Sequence, residues 1–184
     1  LDADKRTLLV FGGSRGSRAI NNAILQNIES LLAIPDLQIL HVSGKLDAEA
    51  VRQDYEKLPD DIQSRYHLYD YLHDIGLAFA SADLVISRAG AATLAEFPFF
   101  GLPAILIPLA YSWRYQEVNA DWLANHGAAI RLDETRMTQE LVPLIQDLFT
   151  HTERLQAMRE AAQALVKTDG AANIARIVIN LSRA

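Results

Sequence analysis

Cysteine is absent from this chain. Disulfide staples and thiolate metal sites are therefore excluded, nothing calls for an oxidising compartment, and the cytoplasm is the default expectation. Basic charge is also scarce, with 17 Lys and Arg against 23 Asp and Glu for a net charge of -6. A chain of that balance has no broad positive field for phosphate backbones, so no nucleic-acid partner is expected. The longest stretch without charge, from Phe97 up to Arg114, is broken by Pro98, Pro103 and Pro108; its apolar part is too short to span a bilayer and reads as loop, strand, loop. Repeats, low-complexity tracts and Gly/Ser linkers are missing too, so no second domain can be marked off. Half of the 184 residues are hydrophobic, enough for one buried core, and residues 1–184 are read as a single domain. The chain opens at Leu1 and enters a strand within a few residues, which reads as a domain excised from a longer protein.

What the sequence does contain is alternation. Short apolar runs at Thr7-Phe11, Leu37-Val42, Tyr66-Tyr69, Leu84-Ser87, Ala104-Pro108 and Ala128-Leu132 are strand candidates. Between them, 18–32, 47–58, 74–80, 92–100 and 115–125 carry helical spacing in crossover positions. Repeated βα alternation predicts an α/β fold: a Rossmann-like, doubly wound parallel sheet of six strands with helices on both faces. After Leu132 the pattern is helical throughout, with Thr138 and Thr152 as N-cap candidates and Asp169-Gly170 as a stop. Ligands of such sheets sit beyond the carboxyl ends of the strands, so the loops after each strand are where chemistry is expected.

The first of these loops, Gly12-Gly13-Ser14-Arg15-Gly16-Ser17, joins a strand to a helix, where backbone N–H groups can approach an anion. Its spacing does not fit G-x-G-x-x-G, and the second strand ends in His41-Val42-Ser43 without the acid that binds a ribose in dinucleotide folds, so a nicotinamide cofactor is not expected. Gly44-Lys45 is followed by Leu46, which rules out a P-loop. Residues 12–16 do match G-x-S-x-G, the nucleophile elbow of hydrolases, with His126 or His151 as conceivable bases; against this, no upstream segment supplies a second oxyanion donor. A second small-residue turn, Arg88-Ala89-Gly90-Ala91-Ala92-Thr93, opens another helix. Two anion-ready helix ends on one sheet edge suit a diphosphate. Glu96, one turn beyond Thr93, is suited to accept from the vicinal hydroxyls of a ribose, and Gln116 and Asn119, on one helical face, offer amides to neutral sugar hydroxyls. Each loop alone also has a plain structural reading: a tight turn, a solvated first-turn acid, surface amides. The one Asp-x-Asp, Asp2 and Asp4, precedes the first strand, and the histidines at 41, 67, 73, 126 and 151 lack paired spacing, so no metal site is expected. Trp113 and Trp122 are read as packing anchors before stacking platforms.

Taken in order, Gly12-Gly13-Ser14-Arg15-Gly16-Ser17-Arg18 with Asn21, Arg88-Ala89-Gly90-Ala91 with Thr93 and Glu96, Gly101-Leu102-Pro103, and Gln116-x-x-Asn119-Ala120 resemble the MurG family over nearly the whole chain. The resemblance is to the carboxy-terminal half of a two-domain GT-B glycosyltransferase. It implies transfer of N-acetylglucosamine from UDP-N-acetylglucosamine to undecaprenyl-diphospho-N-acetylmuramoyl-pentapeptide, at the cytoplasmic face of the membrane, with this half binding the donor. On that resemblance Ser14, the amides of Ala91 and Ala92, and Thr93 meet the diphosphate, while Glu96 meets the ribose. Gln116 and Asn119 contact the sugar, main-chain groups near Tyr71 and Leu72 hold the uracil, and Asn21 and Arg88 order the two loops. Arg15 and Tyr115 depart from the family, which commonly has glutamine and histidine there, and this bears on sugar recognition more than on the nucleotide.

The chemistry implied is a direct, inverting displacement at the anomeric carbon, with no cofactor and no catalytic residue in this half. The lipid-linked acceptor and the general base belong to the amino-terminal half, so the isolated chain is expected to bind donor without turnover. Two other readings stand beside it. One is a non-catalytic UDP-N-acetylglucosamine-binding subunit of a two-chain glycosyltransferase. The other, a UDP-N-acetylglucosamine 2-epimerase of the same overall fold, is disfavoured by the lack of paired acids in the loops.

Overall fold

The computed structural model describes residues 1–109 and 115–182, and in it three consecutive residues of the first strand, Leu8, Leu9 and Val10, are all shielded from water. Neighbouring side chains of a strand point to opposite faces, so such a run requires both faces of the sheet to be covered. Leu8 and Val10 join one apolar cluster and Leu9 the other. Ile39 and Leu40 divide in the same way, as do Ile105 and Leu106. The unbroken apolar runs are thus the signature of a sheet sandwiched between helix layers.

The strands are β1 (Arg6–Phe11), β2 (Leu37–Val42), β3 (Tyr66–Tyr69), β4 (Leu84–Ser87), β5 (Ala104–Leu106) and β6 (Ala129–Arg131). They pair in the order β3-β2-β1-β4-β5-β6, every pair parallel. This is the doubly wound α/β sheet that the alternation predicts. One face is covered by α1 (Arg18–Gln26), α2 (Ile28–Leu32) and α8 (Met137–Thr150). The other is covered by α5 (Ile75–Ser81), α6 (Thr93–Phe100) and α7 (Tyr115–Asn125). The helix α9 (Thr152–Ala164) sends Leu155 and Met158 to the first cluster and Ala162 to the second. Two shorter helices, α3 (Ala48–Tyr55) and α4 (Asp60–Gln63), lie between β2 and β3, and α10 (Gly170–Leu181) ends the described chain.

Several boundaries differ from the sequence reading. The stretch 18–32 is two helices, because the Asn27 side chain donates to the Ala23 carbonyl (2.8 Å) and its backbone leaves the helical region, the competition with main-chain bonding that asparagine offers. Pro98 lies inside α6, as the helical spacing of 92–100 has it, and not in the loop read from Phe97 onward. Asp169-Gly170 is not a stop: Asp169 occupies the N-cap position of α10, a place aspartate favours as much as it favours breaks. The N-cap positions of α8 and α9 are held by Arg136 and His151, one or two residues ahead of the threonines read as caps.

The chain builds outward from β1 to β2 and β3, then returns to place β4 on the other side of β1. The reversal leaves a crevice beyond the carboxyl ends of β1 and β4, the switch point where ligands of open α/β sheets bind. Phe11 and Ser87 are register partners, so the loops after β1 and β4 leave the sheet side by side.

Candidate functional site

The loop after β1 is built from close backbone approaches that only glycine permits. Gly16 has φ of +79°, and a β-carbon there would lie 2.1 Å from the Ser43 carbonyl oxygen. Reciprocally, one on Gly44 would lie 2.3 Å from the Gly16 α-carbon. The loops after β1 and β2 are therefore seated backbone against backbone. The Gly16 N–H donates to the Gly13 carbonyl (2.9 Å), closing the turn, and the chain then enters α1. Ser17 holds the N-cap position, but its hydroxyl makes no capping bond. Among the described residues its Oγ is the buried side-chain polar atom left without a hydrogen-bond partner.

The loop after β4 is pinned by side chains. Thr93 donates its hydroxyl to the Gly90 carbonyl (2.7 Å), and Asn119 on α7 donates to the Ala89 carbonyl (2.9 Å). Arg88 donates to the Ile107 carbonyl (3.2 Å) and pairs with Glu134 at 2.6 Å, which ties the ends of β4 and β5 to the 3-10 turn Glu134–Arg136 that follows β6. Gln116 accepts from the Leu109 N–H (2.9 Å) through Oε1. A β-carbon on Gly90 would meet nothing within 4 Å, so the backbone there faces open space.

Between these loops lies a cleft of about 990 Å³. Ser14, Arg88, Ala91, Ala92, Thr93 and Gln116 all line it, so six positions singled out in the sequence converge. Among the described residues its charged lining is three arginines, Arg15, Arg18 and Arg88, and one carboxylate, Glu134. Arg88 is paired with Glu134 and Arg18 with Asp47 (2.9 Å), while Arg15 has no ion pair among the described residues. A chain of net charge -6 thus sets arginine side chains where two helix N-termini open, the combination that attracts an anion.

The remaining positions lie elsewhere. Glu96 and Asn119 line an adjoining, mostly apolar pocket of about 550 Å³ between α6, α7 and residues 165–167. Tyr71 and Leu72 follow β3 and do not line the cleft. Leu72 packs against the apolar cluster around α5, and the Tyr71 ring carries the Lys45 ammonium over its face at 4.7 Å. Asn21 is fully buried behind the first loop, donating to the Ser43 carbonyl (3.0 Å) while its Oδ1 contacts His41 Nε2 (2.9 Å). His41 Nδ1 in turn meets the Tyr66 hydroxyl at 2.5 Å. Burial pushes the His41 imidazole down to about 3 and the Tyr66 phenol up, so at neutral pH both are uncharged.

The sequence marks Arg15 only as a departure from the family and assigns no role to Arg18, Ser17 or Glu134, yet all four line the cleft. Glu134 was within reach of the sequence, since it follows the last strand at the same sheet edge. The hydrolase reading fails on geometry: Ser14 lines the cleft but no histidine does. His126 contacts the Trp122 carbonyl (2.7 Å) and His151 contacts Asp147. Asp2 pairs with Lys5 (2.6 Å) ahead of β1, at the amino ends of the strands. Among the described residues no three His, Asp or Glu side chains are grouped to hold a metal. Trp113 lies outside the described residues, and Trp122 meets the His126 ring at a tilt of 40°, centroids 4.5 Å apart.

The sequence profile of the glycosyltransferase family 28 C-terminal domain matches residues 7–175. The UDP-N-acetylglucosamine N-acetylmuramyl-(pentapeptide) pyrophosphoryl-undecaprenol N-acetylglucosamine transferase of Desulforamulus reducens is 40% identical over 185 residues, covering 97% of this chain and 49% of the relative. The protein of the same name from Bacillus subtilis is 33% identical over 190 residues, covering 100% of this chain and 50% of that relative. The chain therefore spans about half the length of the curated relatives it matches. Among solved structures, MurG of Acinetobacter baumannii superposes with a TM-score of 0.78 at 26% identity, over 96% of this chain and 52% of that one. The C-terminal CMP-Kdo binding domain of WaaA from the same organism, only 10% identical, shares the fold at a TM-score of 0.66, over 88% of this chain and 89% of that one.

Proposed function

Because this chain belongs to glycosyltransferase family 28, as its C-terminal domain, we propose that the cleft between the β1 and β4 loops binds the diphosphate of a UDP-sugar donor, UDP-N-acetylglucosamine. The observation that carries the proposal is the pairing of two helix N-termini at the switch point with arginine side chains, Arg88 and Arg18 held there by Glu134 and Asp47 and Arg15 outside any ion pair among the described residues. Main-chain amides and dipoles fixed in this way stabilise a diphosphate more as charge develops on it, since they need no reorganisation when the glycosidic bond breaks. Ser14 and the amides of Ala91 and Ala92 take the phosphates, joined by Thr93 when its hydroxyl turns from the Gly90 carbonyl to donate to a phosphate oxygen. The unpartnered Ser17 hydroxyl supports an acceptor oxygen at the mouth of α1, where its own desolvation would be offset.

A nucleotide held there extends along α6, one turn of which separates Thr93 from Glu96, so the ribose hydroxyls come to that carboxylate. The α5 helix packs beside α6, with the Phe79 and Phe97 rings 5.4 Å apart, and the main-chain groups of Tyr71 and Leu72 just before α5 are suited to the uracil edge. Gln116 keeps its Nε2 for the sugar and Asn119 its Oδ1, since the opposite ends of both amides are engaged in holding loops.

The full protein is proposed to transfer N-acetylglucosamine to undecaprenyl-diphospho-N-acetylmuramoyl-pentapeptide with inversion, as an enzyme peripheral to the cytoplasmic face of the membrane. Among the described residues no helix is long and apolar enough to cross a membrane. Acceptor and base then come from outside these residues. The relatives are single polypeptides about twice as long, which favours this reading over a two-chain transferase.

Calorimetric titration of the chain with UDP-N-acetylglucosamine, UDP-glucose and ADP-glucose tests the proposal, with Glu96→Ala as control. Saturable binding that prefers uridine, weakened about tenfold or more by loss of a charged hydrogen-bond acceptor, is the expected result. Equal binding of the adenine nucleotide, or indifference to Glu96→Ala, contradicts it.

A further inference from the structure

The buried contacts among Tyr66, His41, Asn21 and Ser43 have a direction that one atom determines. The Ser43 carbonyl can only accept, so Asn21 must face it with Nδ2 (3.0 Å). Asn21 Oδ1 then faces His41 Nε2 (2.9 Å), which must carry the imidazole proton. His41 Nδ1 is left as an acceptor, and the Tyr66 hydroxyl donates to it (2.5 Å). All four residues are sealed from solvent, so none can exchange its partner for water, and each amide or ring flip would oppose two acceptors or two donors. The far end of this chain is the Ser43 carbonyl against which Gly16 is seated. Asn21 is also in the first turn of α1, its N–H bonded to the Ser17 carbonyl (2.9 Å).

We infer that His41 and Tyr66 are positioning residues for the donor site: they orient Asn21, which holds the Ser43 carbonyl and the first turn of α1 in register, and so set where the Gly12–Ser17 loop presents its amides in the cleft. This rests on the donor-binding reading given above. The loop lines the cleft with glycine backbone and with Ser14, Arg15 and Ser17, and its turn is closed by the Gly16 N–H to Gly13 carbonyl bond. Its seat is borrowed from a strand whose side chains lie in the core.

The test separates positioning from mere packing. In His41→Leu the ring is replaced by an apolar side chain that cannot donate, leaving Asn21 Oδ1 without a partner and its amide held only at the Ser43 end. In His41→Gln an amide donor toward Asn21 is kept. Ile105→Val, on β5, trims the same apolar cluster away from the polar chain, its register partners being Ile86 and Ile130. Well below each melting temperature, the amides of Gly16 and Asn21 are expected to exchange with solvent faster in His41→Leu. UDP affinity of the same variant should fall about tenfold, the equivalent of one misplaced hydrogen bond. His41→Gln should recover most of both losses, while Ile105→Val lowers the melting temperature and leaves both unchanged. If His41→Leu does not fold, Tyr66→Phe, which keeps the ring and removes only the hydroxyl, is expected to shift both readouts in the same direction. Unchanged exchange in the folded variants overturns the inference. Absence of UDP binding by the unaltered chain would instead refute the donor reading, while the exchange experiment, which needs no ligand, still decides whether the loop is positioned in this way.

Discussion

Gly16 has no room for a methyl group. A β-carbon would enter the Ser43 carbonyl, and the φ of +79° is one that other residues adopt at a cost. Gly16→Ala should therefore destabilise the fold by roughly 1–3 kcal/mol in urea unfolding and abolish measurable UDP binding, because the loop must lift off its seat. A second residue-scale expectation concerns pH. The His41 imidazole titrates near 3 when folded, against an ordinary value of 6.5. The unfolded chain therefore takes up a proton below pH 6.5 that the folded chain refuses, and stability is lost as pH falls from 6.5 toward 3. The slope attributable to this group approaches about 1.4 kcal/mol per pH unit. Chemical denaturation between pH 6.5 and 5 should show it, and His41→Gln should remove it; an unchanged slope in the variant would mean that His41 is not buried neutral. Asn21 and the glycines were legible in the sequence as motif members. His41 and Tyr66 were not, because their role comes from a register across β2 and β3 that no local pattern encodes.

At the scale of elements, the strands were readable because a two-sided core demands continuous apolar runs, and those runs are conspicuous. Helix ends were less so. Asn27, Asp169 and Thr152 belong to residue types that serve as breaks, caps or first-turn residues alike, and only packing decides among these roles. The β4 loop depends on a contact between elements far apart in the chain, the Arg88–Glu134 pair. Arg88→Ala should weaken UDP binding by about tenfold or more, since it removes a cation and leaves Glu134 unpaired facing phosphate. Adding Glu134→Gln to that variant should restore part of the loss. Equal affinities of the single and double variants would show that the pair only braces the loops and does not shape the field of the cleft.

Across the whole molecule, two features of an acidic chain are reconciled by topology. Net negative charge resides on the surface, while the reversal of strand order brings Arg15, Arg18 and Arg88 from separate segments to one crevice. Composition argued against a broad basic surface and was silent about a local one. The convergence of the β1, β4 and β6 loops was foreseeable only from strand order. For the same reason Glu96 and Asn119, which sequence spacing assigns to one site with Thr93 and Gln116, lie around the rim in an adjoining pocket. The central claim, a diphosphate at the paired helix ends, is tested most directly by following backbone amide resonances while UDP is added. The account predicts that the largest shifts fall on residues 13–17 and 90–93, together with the Arg88 side chain. Shifts centred instead on the pocket near Trp122 and Val166, with the glycine loops unmoved, would contradict it.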